Sequence, residues 1–325
     1  MNGKSLASSG RLGLSLAAAA VVVLAVSAAS AAASRSSTST SDCSVVGHNV
    51  TPDSSLFAQL PASVKSSKSI TIGVDPSAPP YDFRSPSGQL AGLEVQLGNL
   101  IGCVLGVKVN HKVLAFDGVL TGVQNGRLNM GMSTISDTTP REKVMNFVDY
   151  QTEGTAIVVQ KGNPKHVSTL QSLCGLKVAG TSGSIPLQLV QLQSKKCSKP
   201  ITVLSLPSGA AGYLAVSSGR ADAFMDTFGT AKYMQAHKGS SGLGLEVKSV
   251  RLYAVGWQSI ALPHNADGLQ LTHAVANAVS KLISTRAYAA LFNQWGLSID
   301  MVKQPQINDA AKYSNFMSLK GQPTG

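Results

Sequence analysis

The residue types most suited to chemistry lie together between Met132 and Asp149. Four hydroxyl-bearing side chains run into a predicted helix start: Ser133, Thr134, Ser136 and Thr138. The spacing predicts Thr139 as the N-cap, Pro140 as the first helical residue and Glu142 as the capping-box partner of Thr139. Arg141 then joins free amide N–H groups and hydroxyls in the first helical turn. This set suits a carboxylate or a phosphate, although an ordinary capped helix with a solvated arginine has the same pattern.

The N-terminal 33 residues have the pattern of a secretory signal peptide. Lys4 and Arg11 are basic, residues 12–26 are apolar, and small residues follow. The apolar stretch is short for a membrane-spanning helix and rich in alanine. Cys43 lacks the preceding small-residue box and leucine of a lipoprotein signal, so we expect no lipid anchor. The chain is therefore predicted to be exported, to the periplasm or to the outside of the cell.

Charge and metal-ligand spacing exclude two classes of function. The formal net charge is +11, and loss of Lys4 and Arg11 with the signal peptide would leave +9. Because the basic residues are scattered and form no helical stripe, we expect no nucleic-acid partner; an anionic cell surface or a membrane partner fits the charge better. There is no CxxC motif, and the six histidines show no ligand spacing. We therefore predict neither a metal nor a cofactor.

Four cysteines in an exported chain predict two disulfide bonds. Three pairings are possible, and we favour Cys43–Cys103 with Cys174–Cys197. Cys174 precedes a strand-like run, and Cys197 follows the helix-like run after it. A strand–helix unit brings its two ends close together, which supports the second of these pairs.

Strand-like and helix-like segments alternate along the chain, which indicates an α/β sheet. The alternation begins at Ser69 and restarts near residue 155, so we predict two lobes with the chain crossing between them twice. Glycines at Gly154 and Gly256 would make the crossings a hinge, and a cleft between lobes favours ligand binding. The predicted division is a signal peptide (1–33), an N-terminal tether (34–67), the first part of lobe 1 (68–152), lobe 2 (153–254), the second part of lobe 1 (255–299) and a C-terminal tail (300–325).

Six motifs occur in a fixed order over about residues 69–298: Ile72–Tyr81, Leu90–Val95, Phe116–Leu120, Ser136–Tyr150, Gly219–Asp226 and Ala287–Gly296. Together they resemble the family-3 extracellular solute-binding proteins, the periplasmic amino-acid-binding proteins of ABC importers. The resemblance implies a type II, two-lobed periplasmic-binding-protein fold. It also implies an amino acid as ligand and an ABC transporter permease as partner. We expect the receptor to be a monomer.

The resemblance implies a role for each candidate site residue. An arginine at the position of Arg141 binds the ligand α-carboxylate with both guanidinium arms, and an acid at the position of Asp226 binds the α-ammonium. The assisting hydroxyls or amides are at Thr134, Ser136, Gly183 and Ser184, and the aromatics framing the ligand side chain are Tyr81 and Phe116.

Some positions depart from the family pattern or allow another interpretation. Ala78 stands where many members carry an aromatic that stacks on the ligand, and Ile185 stands where a polar residue is common. Thr227 is an alternative to Asp226 as the ammonium contact, and Asp226 could instead cap the following helix. Tyr81 and Phe116 could be ordinary core aromatics, and Trp257 and Trp295 are interpreted as packing residues.

We therefore expect a receptor and not an enzyme. The alternatives are an exported cyclohexadienyl-dehydratase-like enzyme on the same fold, or a ligand-sensing module. Glu153 and Asp226 are the candidates for the general acid that such an enzyme needs. The sequence does not determine which amino acid or analogue is bound.

Overall fold

The computed structural model describes residues 43–237, 244–248 and 253–313. The predicted signal peptide, residues 34–42 of the predicted tether and residues 314–325 of the predicted tail lie outside this part. So do residues 238–243 and 249–252 of the predicted lobe 2.

The strands of the described part are β1 (Ser44–Val45), β2 (His48–Asn49), β3 (Ser69–Val74), β4 (Ser77–Ala78), β5 (Asp82–Arg84), β6 (Leu90–Ala91), β7 (Lys108–Val113), β8 (Met130–Ser136), β9 (Met145–Gln160), β10 (Lys177–Thr181), β11 (Thr202–Leu206), β12 (Ala223–Thr227), β13 (Leu245–Val247), β14 (Tyr253–Pro263) and β15 (Met301–Ile307). The α-helices are α1 (Ser54–Ala58), α2 (Ala62–Ser67), α3 (Leu93–Leu105), α4 (Phe116–Gln124), α5 (Thr139–Glu142), α6 (Ile185–Ser194), α7 (Gly209–Ser217), α8 (Phe228–Ala236), α9 (Ala266–Ser284) and α10 (Ala287–Trp295).

Two long antiparallel strands join the lobes. The main sheet has the order β11-β10-β12-β9-β14-β8-β3-β7, with β13 and β15 also paired to β9. Strand β9 pairs with β14 and β15 in lobe 1 and with β12 in lobe 2, and β14 leads back beside it. The register between β9 and β14 shifts between Tyr253 and Gly256, where the chain passes from one lobe to the other. The predicted two-lobed α/β fold with two crossings is confirmed.

Lobe 1 buries apolar side chains on both faces of its strands. One face is covered by α3, α9 and α10, whose buried residues include Leu97, Val279 and Phe292. The other face is covered by α4, which contributes Val119 and Val123. These helices repeat apolar residues every three or four positions, so one side of each is dehydrated on packing.

Lobe 2 is built on the parallel strands β10, β11 and β12 with β9 added antiparallel. Helix α6 packs on one face, around Leu189 and Val190. Helix α7 packs on the other face, where Tyr213 meets Phe224 edge-on with ring centroids 5.1 Å apart. Strands β10 and β12 both end at the cleft, so their last residues border it.

Residues 43–67 are part of lobe 1, so the predicted tether is wrong for this segment. Leu56, Leu60 and Val64 are buried in the lobe 1 core. Leu56 lies in α1, Val64 in α2 and Leu60 in the connection between them, so each part of this segment contributes one apolar side chain to the core. Asp53 caps α1 by accepting a hydrogen bond from Ser55 N at 3.0 Å. The serine-rich composition that suggested a tether ends where β1 begins.

The predicted C-terminal tail is also wrong between Met301 and Ile307, because β15 joins the main sheet beside β9. The sequence pattern does not predict this strand, because polar residues and Pro305 interrupt its apolar positions. The strand forms because β9 offers hydrogen-bonding partners.

Both disulfide bonds have the pairing favoured from the sequence. Cys43–Cys103 fastens the N-terminal segment to α3 with the Cα atoms 5.7 Å apart. Cys174–Cys197 joins the start of the β10–α6 unit to its end with the Cα atoms 5.4 Å apart. In the described part of the chain, the helices are too short or too polar to span a membrane. The same residues contain no cluster of three or more His, Cys, Asp or Glu side chains suited to a metal.

Candidate functional site

A cavity of about 50 Å³ lies where the two lobes meet. The carboxyl ends of β8, β10 and β12 open toward it, which is the usual place for a ligand in an α/β sheet. The lining residues from lobe 1 and its end of β14 are Phe116, Thr134, Ser136, Arg141, Trp257 and Gln258. Those from lobe 2 and the crossings are Glu153, Gly154, Thr155, Thr181, Ser184, Ile185, Pro186, Asp226, Thr227, Ala254 and Gly256.

Arg141 is presented by the single helical turn α5, whose N-cap is one residue earlier than predicted. Thr138 has extended backbone angles and accepts a hydrogen bond from Arg141 N at 3.4 Å. Thr139 and Pro140 occupy the first two helical positions, which the fixed φ of proline also allows. The predicted capping box is absent from α5, because Glu142 Oε1 instead accepts from Ala310 N at 3.0 Å.

The guanidinium of Arg141 connects the two lobes. Its Nη1 donates to the carbonyl oxygen of Ser136 at 2.7 Å, and its Nη2 donates to the carbonyl oxygen of Gly183 at 2.8 Å. Removal from water lowers the pKa of Arg141 to about 10, an effect that Asp137 partly opposes. The side chain therefore stays charged at neutral pH, and its two parallel donors can serve a carboxylate as well as two carbonyls.

Gly183 does not line the cavity but places its carbonyl in front of Arg141. Its φ is +74°, in the left-handed region that glycine occupies readily. An ideal Cβ here would lie 3.5 Å from Asp117 and Leu120 of α4, an ordinary van der Waals distance, so the backbone angle and not the available space favours glycine. The neighbouring Ser184 lines the cavity and caps α6, its Oγ accepting from Leu187 N at 3.2 Å.

The end of β8 carries Thr134 and Ser136 into the cavity wall. Thr134 has a φ of +50°, and its N–H donates to Glu94 Oε2 at 2.8 Å. Glu94 Oε1 accepts from the Tyr150 hydroxyl at 2.6 Å. Glu94 therefore fixes the backbone of Thr134 from inside lobe 1 and is not itself part of the cavity wall.

Asp226 faces the cavity from the lobe 2 side, at the end of β12. Its Oδ2 accepts from the Tyr213 hydroxyl at 2.8 Å. Removal from water raises the pKa of Asp226 to about 7, although the hydrogen bond from Tyr213 acts in the opposite direction. Thr227 is the N-cap of α8 and also lines the cavity, so both residues considered for the ammonium contact border it. Asp226 is not the cap of α8.

The two aromatics proposed from the sequence are placed differently. Phe116 lines the cavity, and its N–H donates to Asp75 Oδ2 at 3.1 Å. Tyr81 is fully buried behind the wall, where its hydroxyl donates to Glu153 Oε2. Burial, followed by the charge of Glu153, raises the pKa of Tyr81 well above its usual value. Tyr81 therefore orients Glu153 and does not border the cavity.

Sequence reasoning named Glu153 only as a candidate general acid and missed the rest of the wall that the crossings supply. Glu153 and Thr155 come from β9, and Trp257 and Gln258 from β14. Trp257 was interpreted as a packing residue, yet it packs and borders the cavity at once. Their position in the chain could have predicted this role, because residues on the two strands that join the lobes border the cleft between those lobes.

The lobes also touch directly at two places beside the cavity. Gly209 N donates to Ser77 Oγ at 3.3 Å, and Ser182 Oγ donates to Asp117 Oδ2 at 3.3 Å. The cavity of about 50 Å³ has room for a few water molecules, and this volume is well below the roughly 300–1,000 Å³ of sites for drug-sized molecules. A ligand of amino-acid size therefore needs the lobes to move apart before it enters.

Comparisons with known proteins agree with this architecture. A family model for bacterial extracellular solute-binding proteins, family 3, matches residues 70–298. The arginine-binding protein ArgT of Corynebacterium glutamicum is 27% identical over 266 residues, which cover 79% of this chain and 84% of that protein.

Solved structures match over both lobes. A mutant of ArgBP from T. maritima has a TM-score of 0.65 at 24% identity and covers 74% of this chain and 99% of its own. The ancestral amino acid-binding protein AncCDT-1, a precursor of cyclohexadienyl dehydratase, has a TM-score of 0.62 at 24% identity and covers 72% and 97%. The family match runs from β3 through both crossing strands to the end of α10. The chain therefore belongs to family 3 of the bacterial extracellular solute-binding proteins.

Proposed function

We propose that this protein is an exported, monomeric receptor that captures an amino acid between its lobes and delivers it to an ABC transporter permease. The observation that carries the proposal is the pair Arg141 and Asp226, which border one cavity from opposite lobes. A free amino acid has a carboxylate and an ammonium on one carbon, and this pair offers each of them an opposite charge.

Binding uses donors that are already aimed into the cleft. The ligand α-carboxylate takes the two donors of Arg141 that now serve the Ser136 and Gly183 carbonyls. The Asp226 carboxylate takes the α-ammonium, with the Thr227 hydroxyl beside it. Because the two charges sit on different lobes, the ligand gains its full set of contacts only when the lobes are close, which favours the closed form.

L-Arginine is the first ligand to test, because ArgT, which this chain matches over most of its length, is an arginine-binding protein. The experiment is a thermal-shift screen of the twenty amino acids and small opines, followed by calorimetry on each hit. A bound ligand raises the apparent melting temperature by mass action. If none of these compounds raises the melting temperature, the proposal is wrong.

The proposal makes the protein a receptor and not an enzyme. Glu153 is the candidate general acid of the enzyme alternative, because its carboxyl lines the cavity and accepts a hydrogen bond from the Tyr81 hydroxyl. A dehydratase would convert prephenate to phenylpyruvate with loss of carbon dioxide and water, and the product is followed by its absorbance. If the wild-type protein turns over prephenate and the Glu153→Gln variant does not, the receptor proposal is wrong and the protein is an enzyme.

A further inference from the structure

A C-terminal strap, residues 301–312, lies along the first crossing strand and outside the segment that matches the family. Its strand β15 runs antiparallel to β9, with Ile307 opposite Val148. Beyond β15, Asn308 Oδ1 accepts a hydrogen bond from Phe147 N at 2.7 Å. The strap is thus held firmly against the lobe 1 end of β9.

The strap contacts the wall of the ligand cavity from behind at two points. Ala310 N donates to Glu142 Oε1 at 3.0 Å, and Glu142 follows Arg141 in the single turn α5. On the other side, the indole N–H of Trp257 donates to the carbonyl oxygen of Asp309 at 3.1 Å. Arg141 and Trp257 both line the cavity, so successive strap residues hold two of its wall elements.

These contacts matter because α5 is too short to be fixed by its own secondary structure, and because the β14 backbone does not by itself fix the plane of the Trp257 ring. Helix α5 has four residues, far fewer than a helix needs to be stable alone. Its orientation therefore depends on groups that bind it from outside. The ring of Trp257 is held in the same way, with Lys312 Nζ lying 4.7 Å from its centroid.

We propose that the C-terminal strap is a positioning element of the ligand site. Through Glu142 it sets the direction in which α5 presents Arg141, and through the Asp309 carbonyl it sets the plane of Trp257. A bidentate contact to a carboxylate tolerates only small displacements of the guanidinium, so loosening α5 weakens binding without removing a ligand contact. This inference rests on the proposed function, and Glu142 is a positioning residue that acts through Arg141.

The test uses full-length variants and L-arginine as the probe in calorimetry. Glu142→Ala removes the acceptor and is expected to weaken L-arginine binding roughly tenfold, and to lower the melting temperature of the ligand-free protein by a few degrees because the Ala310 N–H loses its partner. Glu142→Gln keeps an acceptor oxygen and is expected to restore wild-type affinity. Lys143→Ala changes an exposed neighbour at the end of the same helical turn and serves as the matched control.

A second variant removes the other partner of the same bond. Ala310→Pro lacks the donor N–H and lies at the start of a helical turn, Ala310–Tyr313, where proline is tolerated. It is expected to match the loss in Glu142→Ala, and the double variant should lose no more than either single one, because both act on one hydrogen bond. If Glu142→Ala does not fold, the Ala310→Pro variant still tests whether this hydrogen bond affects ligand affinity.

The outcomes separate the strap from the proposed function. Wild-type affinity in Glu142→Ala and Ala310→Pro overturns the strap proposal and leaves the receptor intact. Additive losses, or a Glu142→Gln variant as weak as Glu142→Ala, also overturn it. If the wild-type chain binds neither L-arginine nor any other amino acid, the receptor function fails, and the role of the strap fails with it.

Discussion

Replacing Arg141 by alanine removes the cation shared by the two lobes. In the proposed complex the guanidinium holds the ligand carboxylate with two parallel hydrogen bonds inside a cleft largely closed to water. Loss of one partner from such a buried charged pair costs about 2–5 kcal/mol. With 3 kcal/mol as the central value, the Kd for the amino acid rises roughly 150-fold. Titration calorimetry with L-arginine measures this change directly.

The same substitution has a limited effect on the fold. The carbonyls of Ser136 and Gly183 lose their donors, but both face the cleft and can be hydrated when the lobes part. Burial already lowers the pKa of Arg141 to about 10, so holding the charged guanidinium in the cleft has an electrostatic cost that the variant avoids. We expect the free energy of unfolding to change by at most about 1–2 kcal/mol.

Two further variants define what the Arg141→Ala result means. Arg141→Lys keeps the charge but cannot fork onto a carboxylate, so it should also bind weakly. Arg127→Ala removes an exposed arginine, outside the cavity wall, and should bind as the wild type does. An unchanged Kd in Arg141→Ala, with Arg127→Ala as reference, refutes the assignment of the carboxylate site.

Four other predictions test the ammonium contact, the ionisation of Asp226, one disulfide bond and the hinge. Because the pKa of Asp226 is raised to about 7, affinity for an amino acid should fall as pH drops through that value; calorimetry across the range should show the fall in the wild type and not in Asp226→Asn. Because the pKa of Asp226 is raised from its ordinary value of 3.8, the unfolded chain ionises at lower pH than the folded one. The free energy of unfolding should therefore fall as pH rises from about 4 to 7, a slope that denaturant melts of Asp226→Asn should lack. Opening Cys174–Cys197, with its sequence separation of 23, by a double alanine substitution should cost about 3 kcal/mol in the free energy of unfolding, and an unchanged denaturation midpoint contradicts this. Small-angle scattering should give a smaller radius of gyration with saturating L-arginine than without; identical curves despite tight binding mean that the ligand does not alter lobe closure.

The structure explains why some local expectations succeeded and others shifted. The alternating apolar segments predicted the sheet correctly, because the apolar pattern of a strand depends on its own burial and not on which strands lie beside it. The motif around Arg141 predicted a helix start, but Thr138 took the N-cap position that was given to Thr139. Both threonines satisfy the local rule. The extended backbone of Thr138 at the end of β8, and the use of Glu142 by the strap, settled which one caps.

Other features depended on residues far apart in the chain. Residues 43–67 were assigned to the tether, whereas α3 and α9 provide a surface against which Leu56 and Leu60 are buried. Strand β15 had no clear apolar alternation, and the edge of β9 gave it a partner. The position of Tyr81 in the family motif predicted an aromatic that contacts the ligand. In the structure its hydroxyl binds Glu153, and Glu153 lines the cavity in its place.

The sequence by itself determined the class of molecule: two α/β lobes, two crossings, the pairing of cysteines within one strand–helix unit, and a helical turn that carries Arg141. These follow from patterns spanning a few residues, where side-chain type and spacing act directly on the backbone. Only the tertiary structure decided that Arg141 bridges to Gly183, 42 residues away, that Trp257 borders the cavity, and that the strap holds α5. Such contacts depend on the angle and register at which elements pack, and those are set by the sum of many burial and hydrogen-bond energies and not by any local motif.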